Sequence, residues 1–478
     1  MNHPDRLSGL DSSFLHLEGA ALHMHVAECA VLRGPAPAYS RLVEIVNSRL
    51  HQIPRYRQRL AFVPLTQGRP VWVDDPQFKV AFHVRHTALP QPGSDAQLRH
   101  LAGRIFSQAL DRSRPLWELW MVEGLSQGRF ALLIKTHHAL VEGPNIASVL
   151  FDRSPLPASA GPAPAWIPKP APTGAQLLAD ALIERATEPV ELRRTLRSSV
   201  RLPRRALGAL ITGALGQRAM AITPRRVLSA GSTKAPPSPY NLTTGPHRRF
   251  TWLQEDLERL REIKSSLGGT VNDVVLAAVA GALGVHMRRH DHQTDGIVLQ
   301  ALVPVSVSSA TTESAKSGTA PEQLLAVRAP LPVGVTDIPE RLAIITSAMS
   351  GIKERDSALG ADAITNLAGF APPTLVAQAA RLQARERHFN LLVTNVPGPQ
   401  EPLYFDGHRL EAVYPLMPLA ERTALSIAVL SYDGVMNFGL NADYDALPDL
   451  DELAADFRTS LNELAQAAAR PHAAHVPR

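Results

Sequence analysis

The sequence predicts an α/β protein made of two domains. Its 478 residues exceed what one hydrophobic core ordinarily organises and suit two domains of roughly 150 to 250 residues. Short apolar runs typical of buried strands, such as residues 130–134, alternate with helical patterns such as residues 37–51. A stretch rich in proline and alanine, residues 154–173, has the composition of an interdomain linker. We therefore divide the chain into an N-terminal domain, a linker with crossover helices and a C-terminal domain, bounded at 1–153, 154–240 and 241–478.

The composition is that of a globular protein in a reducing compartment. Hydrophobic residues make up 45% of the chain and charged residues 19%, and the single cysteine, Cys29, cannot form an intrachain disulfide. Residues 1–19 lack the apolar core of a signal peptide, and no stretch approaches the ~18 uninterrupted apolar residues of a membrane-spanning helix. We therefore expect a cytoplasmic protein. The longest apolar run, residues 274–285, is predicted to be a buried helix. A helix is also predicted over residues 253–267, and residues 7–32 are predicted to form a turn followed by a strand from His23 onward.

Several classes of function are disfavoured because their motifs are absent from the sequence. Although the net charge is +5, only 5% of residues are aromatic, and neither an RRM-like signature nor zinc-ligand spacing occurs, so nucleic acid is not expected as a partner. No GxGxxG or GxxxxGK[ST] motif supports a dinucleotide or nucleoside triphosphate site. No GxSxG elbow supports a serine nucleophile, and no metal site is expected.

The chemistry of the sequence concentrates in residues 130–146, FALLIKTHHALVEGPNI. The apolar run at its start predicts a buried strand, and the Gly143-Pro144 pair opens a helix. His137 and His138 therefore lie at the end of a strand, where open α/β sheets place reactive groups. An imidazole in that position titrates near neutral pH and is suited to be a general base. Paired histidines are also common in structural positions, so the doublet alone does not establish catalysis.

The segment from His137 to Gly143 resembles the HHxxxDG motif of the CoA-dependent acyltransferase superfamily. That superfamily includes chloramphenicol acetyltransferases, peptide-synthetase condensation domains and bacterial wax ester synthase/diacylglycerol acyltransferases. Glu142 stands where the motif has aspartate. Further blocks follow one another as in the last of these families: a D-x-x-F-L opening at Asp11, an MH-containing strand at Met24, and the sequences PRYRQRL, PLW, GTVND and NVPGP. This ordered set resembles the wax ester synthase/diacylglycerol acyltransferases in particular.

The resemblance implies both an architecture and a reaction. The implied fold is two chloramphenicol-acetyltransferase-like α/β subdomains in a V-shaped arrangement, with an active-site channel between them. The implied activity is that of an acyl-CoA-dependent O-acyltransferase, which makes triacylglycerol, wax esters or both. A fatty acyl group would pass directly to diacylglycerol or a long-chain alcohol. Acyl-CoA is then a substrate, and no cofactor is expected.

The resemblance also assigns roles to individual residues. His138 is implied to be the general base, with His137 beside it. Asn272 is implied to face it from the second domain and to donate to the oxyanion or contact the acceptor hydroxyl. The residues implied to be structural at the site are Glu142, Gly143 and Asp273, and an Asn272-Asp273 pair that only caps a helix remains the alternative.

Two further implications concern an ion pair and the channel. The carboxylate of Glu142 is implied to form a salt bridge with an arginine, for which the candidates are Arg55, Arg57 and Arg248. The substrate channel is assigned to Pro115, Leu116, Trp117 and Asn395. For the PLW block a structural alternative stays open, in which the proline fixes a turn and the tryptophan fills the core.

Residues 193–226 form a basic region in which leucines are interleaved with arginines. Such a segment is suited to an anionic bilayer or a lipid-droplet surface, with its leucines dipped into the acyl layer. A crossover helix whose arginines are simply solvated is the alternative. The sequence therefore predicts a cytoplasmic enzyme with peripheral contact to lipid.

Three other hypotheses for the function remain open. Because Glu142 and the sequence of residues 309–322 depart from the family pattern, the protein is alternatively a non-catalytic paralogue that binds acyl lipids or lipid surfaces. A metal site formed by His137, His138 and Glu142 is disfavoured because adjacent histidines rarely point to one ion. A peptide-synthetase-type amide-forming domain is disfavoured because no carrier or adenylation domain shares the chain.

Overall fold

The three-dimensional structure, a computed structural model, describes residues 5–66, 68–141, 145–157, 165–183, 234–307, 323–357 and 388–470. Glu142 and Gly143, the basic region 193–226 and the whole segment 309–322 fall outside these ranges. The predictions made for them are therefore carried by sequence alone.

The chain divides into two compact units, and each takes more than one stretch of the sequence. The first comprises Met1–Arg225, Gly360–Glu386 and Pro402–Ala412, and the second comprises Arg226–Leu359, Arg387–Glu401 and Val413–Arg478. The bounds predicted from the sequence, 153 and 240, assumed continuous domains. The stretch Pro402–Ala412 belongs to the first unit because a late strand of the chain lies beside an early strand in the same sheet. Sheet pairing, and not chain order, decides which residues share a core.

A six-stranded sheet organises the first unit. Its strands are β1 (His25–Arg33), β4 (Val84–Ala88), β5 (Trp117–Leu125), β6 (Arg129–His137), β11 (Tyr404–Phe405) and β12 (His408–Leu416), in the spatial order β11-β12-β1-β6-β5-β4. A separate two-stranded sheet pairs β2 (Gln58–Ala61) with β3 (Val71–Asp74). The helices described in this unit are α1 (Gly9–Leu17), α2 (Tyr39–Arg49), α3 (Asp95–Phe106), α4 (Ile146–Leu150) and α5 (Gly174–Ile183).

Strand β6 lies in the interior of this sheet and is antiparallel to both neighbours, β1 and β5. Every residue of β6 after Arg129 is buried. The strand predicted over residues 130–134 is therefore confirmed, and it continues to His137. An interior strand is held on both edges by main-chain hydrogen bonds, so its last residues have a fixed position.

The segment before β1 differs from the sequence-based expectation of a turn. It contains α1, which begins after Ser8 because the Ser8 hydroxyl accepts a hydrogen bond at 3.0 Å from the Asp11 main-chain N–H. A serine at this capping position satisfies one of the amide groups that a helix leaves without a partner in its first turn. The D-x-x-F block is thus the first turns of a helix, and Phe14 points toward the end of β6.

A second six-stranded sheet organises the second unit. Its strands are β7 (Arg248–Asp256), β8 (Val298–Val307), β9 (Gln323–Pro332), β10 (Leu391–Pro397), β13 (Leu425–Tyr432) and β14 (Val435–Asp443), in the order β7-β14-β13-β10-β8-β9. The helices are α6 (Leu257–Leu267), α7 (Val271–Arg289), α8 (Ile338–Ser357) and α9 (Leu450–Ala469). The helix predicted to start at Leu253 starts four residues later, because Leu253 pairs with Phe438 in the sheet.

The apolar helix predicted from residue 274 is α7, and it forms the centre of the second core. It packs against α8, α9 and β9, and its apolar side chains from Val274 to Leu283 are almost entirely buried. Glycine is needed at Gly284, because an added Cβ would collide with the main-chain carbonyl oxygen of Val333. By length and composition α7 is the one described helix that would qualify as a membrane span, yet most of its surface is buried against this core.

The α/β fold with two sheet-rich units, predicted from the sequence, is confirmed. The V-shaped arrangement and the channel between the units stay predictions.

Candidate active site

The two histidines are placed by β6 and by the turn that follows it. His137 is the last residue of β6, directly opposite His25 of β1, and His138 opens a 3₁₀ turn over His138–Leu140. The main-chain N–H of His137 donates to the Leu116 carbonyl at 3.0 Å, and that of His138 donates to the Met24 carbonyl at 2.8 Å. The main chain of the doublet is thus held from both sides.

The His137 imidazole is fully buried, and its two nitrogens face Ala139 and Glu18. Nδ1 accepts a hydrogen bond from the Ala139 main-chain N–H at 3.1 Å, so the ring proton is on Nε2. Nε2 lies 3.4 Å from Oε1 of Glu18, although it does not reach hydrogen-bond geometry with any residue that the structure describes. These contacts fix the tautomer and the orientation of the ring, as expected of a positioning residue.

Glu18 lies just after the C-terminal end of α1 and contacts His137, Met24 and Arg112. Its carboxylate accepts hydrogen bonds from the Met24 main-chain N–H at 2.8 Å and from Nε of Arg112 at 3.0 Å, and Nη2 of Arg112 donates to the same oxygen. Burial alone would raise the pKa of Glu18, but the interactions with His137, Arg112 and Met24 lower that pKa to about 2. Glu18 is therefore an ionised carboxylate at neutral pH.

Arg112 connects this carboxylate to the helix. Its Nη2 also donates to the Leu15 carbonyl at 2.8 Å, near the end of α1. The pair Glu18–Arg112 thereby fastens α1 to the loop before β5 and keeps Phe14 over the turn that follows β6. Sequence analysis did not identify Glu18 or Arg112 as contacts of the histidines. No local signal marks their pairing, because they lie 94 residues apart.

His138 differs from His137 in being partly exposed. Its ring packs against the Phe14 ring with centroids 4.0 Å apart. Nδ1 is buried and, within the part of the chain that the structure describes, has no hydrogen-bond partner in another residue. Burial, and next the proximity of His137, lower the pKa of His138 to about 4. The imidazole is consequently neutral at physiological pH and is able to accept a proton.

Two buried basic side chains, His25 and Lys135, lie near the histidine doublet. Nε2 of His25 lies 2.9 Å from the Phe106 carbonyl, and burial followed by the charge of Lys135 lowers the pKa of His25 well below its ordinary value. The fully buried Lys135 ammonium donates to the carbonyls of Ile105 and Gln108 and lies 3.3 Å from Glu118. These contacts are those of structural residues.

The PLW block supports the doublet from behind. The Leu116 carbonyl accepts the His137 N–H, and both Leu116 and Trp117 have no exposed surface. The Trp117 indole donates to the Tyr56 carbonyl at 2.8 Å, and its ring stacks on His83 with centroids 4.8 Å apart. These contacts belong to the core. The assignment of Pro115, Leu116 and Trp117 to a substrate channel stays a prediction, and these core contacts do not support it.

The remaining site residues lie in the second unit. At the start of α7 the Thr270 hydroxyl accepts from the Asp273 N–H at 3.2 Å, and the Asp273 carboxylate accepts from the Thr270 N–H at 2.8 Å. This reciprocal capping box accounts for Asp273 as a structural residue. Asn272, in the same first turn, and Asn395, near the end of β10, are both partly exposed. Their participation at the histidines stays a prediction.

The ion pair predicted for Glu142 is not tested, because Glu142 and Gly143 lie outside the described residues. The three candidate arginines have other partners. Arg55 donates to Gln58 at 3.0 Å, Arg57 to the Asn47 carbonyl at 3.3 Å, and Arg248 to the Gly245 carbonyl at 2.6 Å.

The α/β fold with two six-stranded sheets is shared with known acyltransferases. A trichothecene 15-O-acetyltransferase from Fusarium sporotrichioides shares the fold, with a TM-score of 0.54 and 13% identity over 96% of this chain and 94% of that one.

The family follows from the matches to the sequence. The family model of the wax ester synthase/diacylglycerol acyltransferase catalytic domain matches residues 7–275, and the model of the C-terminal domain of that family matches residues 323–465. The chain belongs to the wax ester synthase/diacylglycerol acyltransferase family and is an O-acyltransferase.

Individual relatives agree with this assignment. A probable diacylglycerol O-acyltransferase of Mycobacterium tuberculosis is 34% identical over 473 residues, which cover 96% of this chain and 98% of the relative. The solved structure of a wax ester synthase/diacylglycerol acyltransferase from Marinobacter aquaeolei VT8 superimposes with a TM-score of 0.66. It is 27% identical and covers 97% of this chain and 100% of the other.

Proposed function

We propose that this protein transfers a fatty acyl group from acyl-CoA to diacylglycerol or a long-chain alcohol, with His138 as the general base. The observation that carries the proposal is the position of the His138 imidazole, which follows an interior strand, is partly exposed and packs against the Phe14 ring. A base must be unprotonated before it acts, and the lowered pKa of His138 supplies that state throughout the physiological range.

The reaction balances with these groups alone. His138 removes the hydroxyl proton of the acceptor, and the oxygen attacks the thioester carbonyl carbon as the carbon–oxygen bond forms. The resulting tetrahedral oxyanion collapses, the carbon–sulfur bond breaks, and the CoA thiolate leaves and takes up the proton that His138 holds. Asn272 is partly exposed in the first turn of its helix. We assign its side-chain amide one of two roles: donating a hydrogen bond to the oxyanion or contacting the hydroxyl group of the acceptor. No cofactor is needed, since acyl-CoA is itself the activated donor.

Direct transfer is favoured over an acyl-enzyme by the state of the chain's one thiol. Cys29 lies within β1, has no exposed surface, and burial raises the pKa of its thiol. A thiol nucleophile requires the opposite environment, namely exposure and a lowered pKa. The acceptor oxygen, and not the Cys29 thiol, therefore attacks the thioester.

The proposal is tested by incubating the purified full chain with radiolabelled palmitoyl-CoA and either dioleoylglycerol or hexadecanol, then separating the lipids. We expect label in triacylglycerol, wax ester or both, with release of free CoA in equal amount. The relative rates identify the acceptor. Binding of palmitoyl-CoA without labelled ester from either acceptor would instead support the non-catalytic paralogue, which the departures at Glu142 and residues 309–322 motivate.

We further propose that the enzyme is cytoplasmic and contacts anionic lipid surfaces through residues 193–226. The support is the excess of arginine with interleaved leucine in that sequence. Co-sedimentation with phosphatidylserine-containing liposomes should weaken as salt is raised, because surface attraction is screened over about 10 Å at 0.1 M salt. Replacing Arg201, Arg204 and Arg205 by glutamine should release the protein at intermediate salt.

The matched control for this experiment removes the same charge elsewhere. Arg261, Lys264 and Arg458 are exposed on α6 and α9, and their replacement by glutamine should leave co-sedimentation unchanged. Equal loss of binding in both triple variants would show that net charge, and not residues 193–226, controls the attraction.

A further inference from the structure

A cluster outside the acyl-transfer site joins two helices of the second unit. His286 and His290 lie one helical turn apart at the C-terminal end of α7, and Asp449 lies at the N-terminal end of α9. Residues four apart on a helix share a face, so both imidazoles point to the same neighbour. Nε2 of His286 lies 3.1 Å from Oδ2 of Asp449, and Nε2 of His290 lies 2.7 Å from the same oxygen.

These three side chains have the chemistry of a metal site. Each offers one ligand atom, and the three atoms lie within 4.8 Å of one another. Two imidazole nitrogens and a carboxylate oxygen are ligands that zinc prefers. Tetrahedral ligands about 2.0–2.1 Å from zinc are separated from one another by roughly 3.3 Å. To admit the ion, the 2.7 Å contact between His290 and Asp449 must open to that spacing, and the two imidazole nitrogens, which lie within 4.8 Å of each other, must adopt it as well.

Tyr240 orients the buried member of the cluster. Its hydroxyl oxygen lies 3.0 Å from Nδ1 of His286, and Tyr240 has no exposed surface. When Nδ1–H donates to that oxygen, the lone pair of His286 is on Nε2, the atom that faces His290 and Asp449. Metal-bound histidines are held in this way by a hydrogen bond on the second ring nitrogen.

The charges and the exposure of the cluster also suit a cation. Around it, Asp449, Glu452 and Asp456 provide three carboxylates, and Arg289, which pairs with Asp456 and Glu452, provides one guanidinium. The exposed fraction of the side chains rises from 6% for His286 and 16% for Asp449 to 44% for His290. The cluster is therefore open on the His290 side, where an ion can enter and a water can complete the coordination.

We propose that His286, His290 and Asp449 form a zinc-binding site that joins the end of α7 to the start of α9. The ion would replace the two hydrogen bonds to Asp449 by three metal–ligand bonds and would stabilise the second unit. Sequence analysis did not identify this site, because its third ligand lies 159 residues beyond His290. The site is independent of the acyl-transfer chemistry proposed above.

The test is titration of the full chain with Zn²⁺ at pH 7.5 after treatment with a chelator, followed by calorimetry and thermal melting. We expect one zinc ion per chain and a higher melting temperature with zinc, because a ligand that binds only the folded state stabilises it. His290→Ala should weaken binding at least tenfold. Because His290 is largely at the surface, this variant should fold as the parent does without zinc.

Two further variants separate loss of a zinc ligand from other effects of substitution. Asp449→Asn retains the shape of the side chain and a residue favoured before a helix, yet removes the anionic ligand, so zinc binding should fall as in His290→Ala. His292→Ala removes an exposed histidine two residues from the cluster and should bind zinc as the parent does. The absence of zinc binding, or equal binding by the parent and His290→Ala, would overturn the proposal, as would an equal loss in His292→Ala.

Discussion

Replacing His138 by alanine is expected to lower the turnover number for acyl transfer by about 10² to 10⁴, the usual contribution of general-base catalysis. The melting temperature should change little, because the His138 side chain is partly exposed and contacts chiefly the Phe14 ring. The measurement is ester formation from palmitoyl-CoA under saturating substrate, with thermal melting of the same preparations.

Two other histidines serve as controls. His100→Ala alters an exposed position on α3 and should leave both turnover and melting as in the parent. His137→Ala should reduce turnover less than His138→Ala but lower the melting temperature more, because His137 is fully buried and contacts Glu18. Turnover of His138→Ala within about threefold of the parent would exclude His138 as the base, since that loss is far below the expected range.

The second large effect is expected for Glu18→Gln. The amide retains an acceptor for the Met24 N–H but removes the charge that pairs with Arg112. Hydrogen bonds to charged groups contribute about 1.5–3 kcal/mol, and the partial exposure of Arg112 argues for the lower part of that range. We therefore expect a loss of about 2 kcal/mol in the free energy of unfolding at pH 7. Turnover should fall as well, because misplacement of catalytic groups by about 1 Å costs up to about 10²-fold.

The pH dependence of stability identifies the cause. Folding lowers the pKa of Glu18 from 4.5 to about 2, so its contribution is fully present above pH 4.5 and is lost as the pH falls toward 2. The stability difference between the parent and Glu18→Gln should accordingly be constant above pH 5 and shrink below pH 4.5. Glu44→Gln, at an exposed position on α2, should change stability by less than about 0.5 kcal/mol. A difference that is the same at pH 3 and pH 7 would refute the ionised Glu18.

The position of the histidines could be predicted from the sequence because it depends on a local pattern. An uninterrupted apolar run ending in His137-His138 indicates a buried strand with a reactive end, and β6 has that form. The network that holds His137 could not be predicted in the same way. Glu18 and Arg112 meet because the sheet places β1 beside β6 and because α1 ends over that edge. Such pairings follow from strand order, which no local periodicity contains.

The local structure differs from the prediction in two places, the segment before β1 and the start of α6, and each difference has a physical cause. The sequence predicts a turn before the strand that starts at His23, whereas the Ser8 cap and the packing of Phe14 on His138 favour a helix over residues 9–17. The start of α6 was placed four residues early because Leu253 fits a helical pattern, whereas its pairing with Phe438 keeps it in a strand. In both cases contacts with distant residues decided the local structure.

The central claim, that a neutral His138 accepts the proton of the acceptor alcohol, is tested most directly by the pH dependence of kcat/KM for the parent. This quantity reports the ionisation of the free enzyme. Because the base form is required and the pKa of His138 is lowered to about 4, kcat/KM should stay level from pH 8 to pH 5 while circular dichroism shows the protein folded. A fall in kcat/KM centred near pH 6.5, the ordinary value for histidine, with the fold intact, would contradict the account.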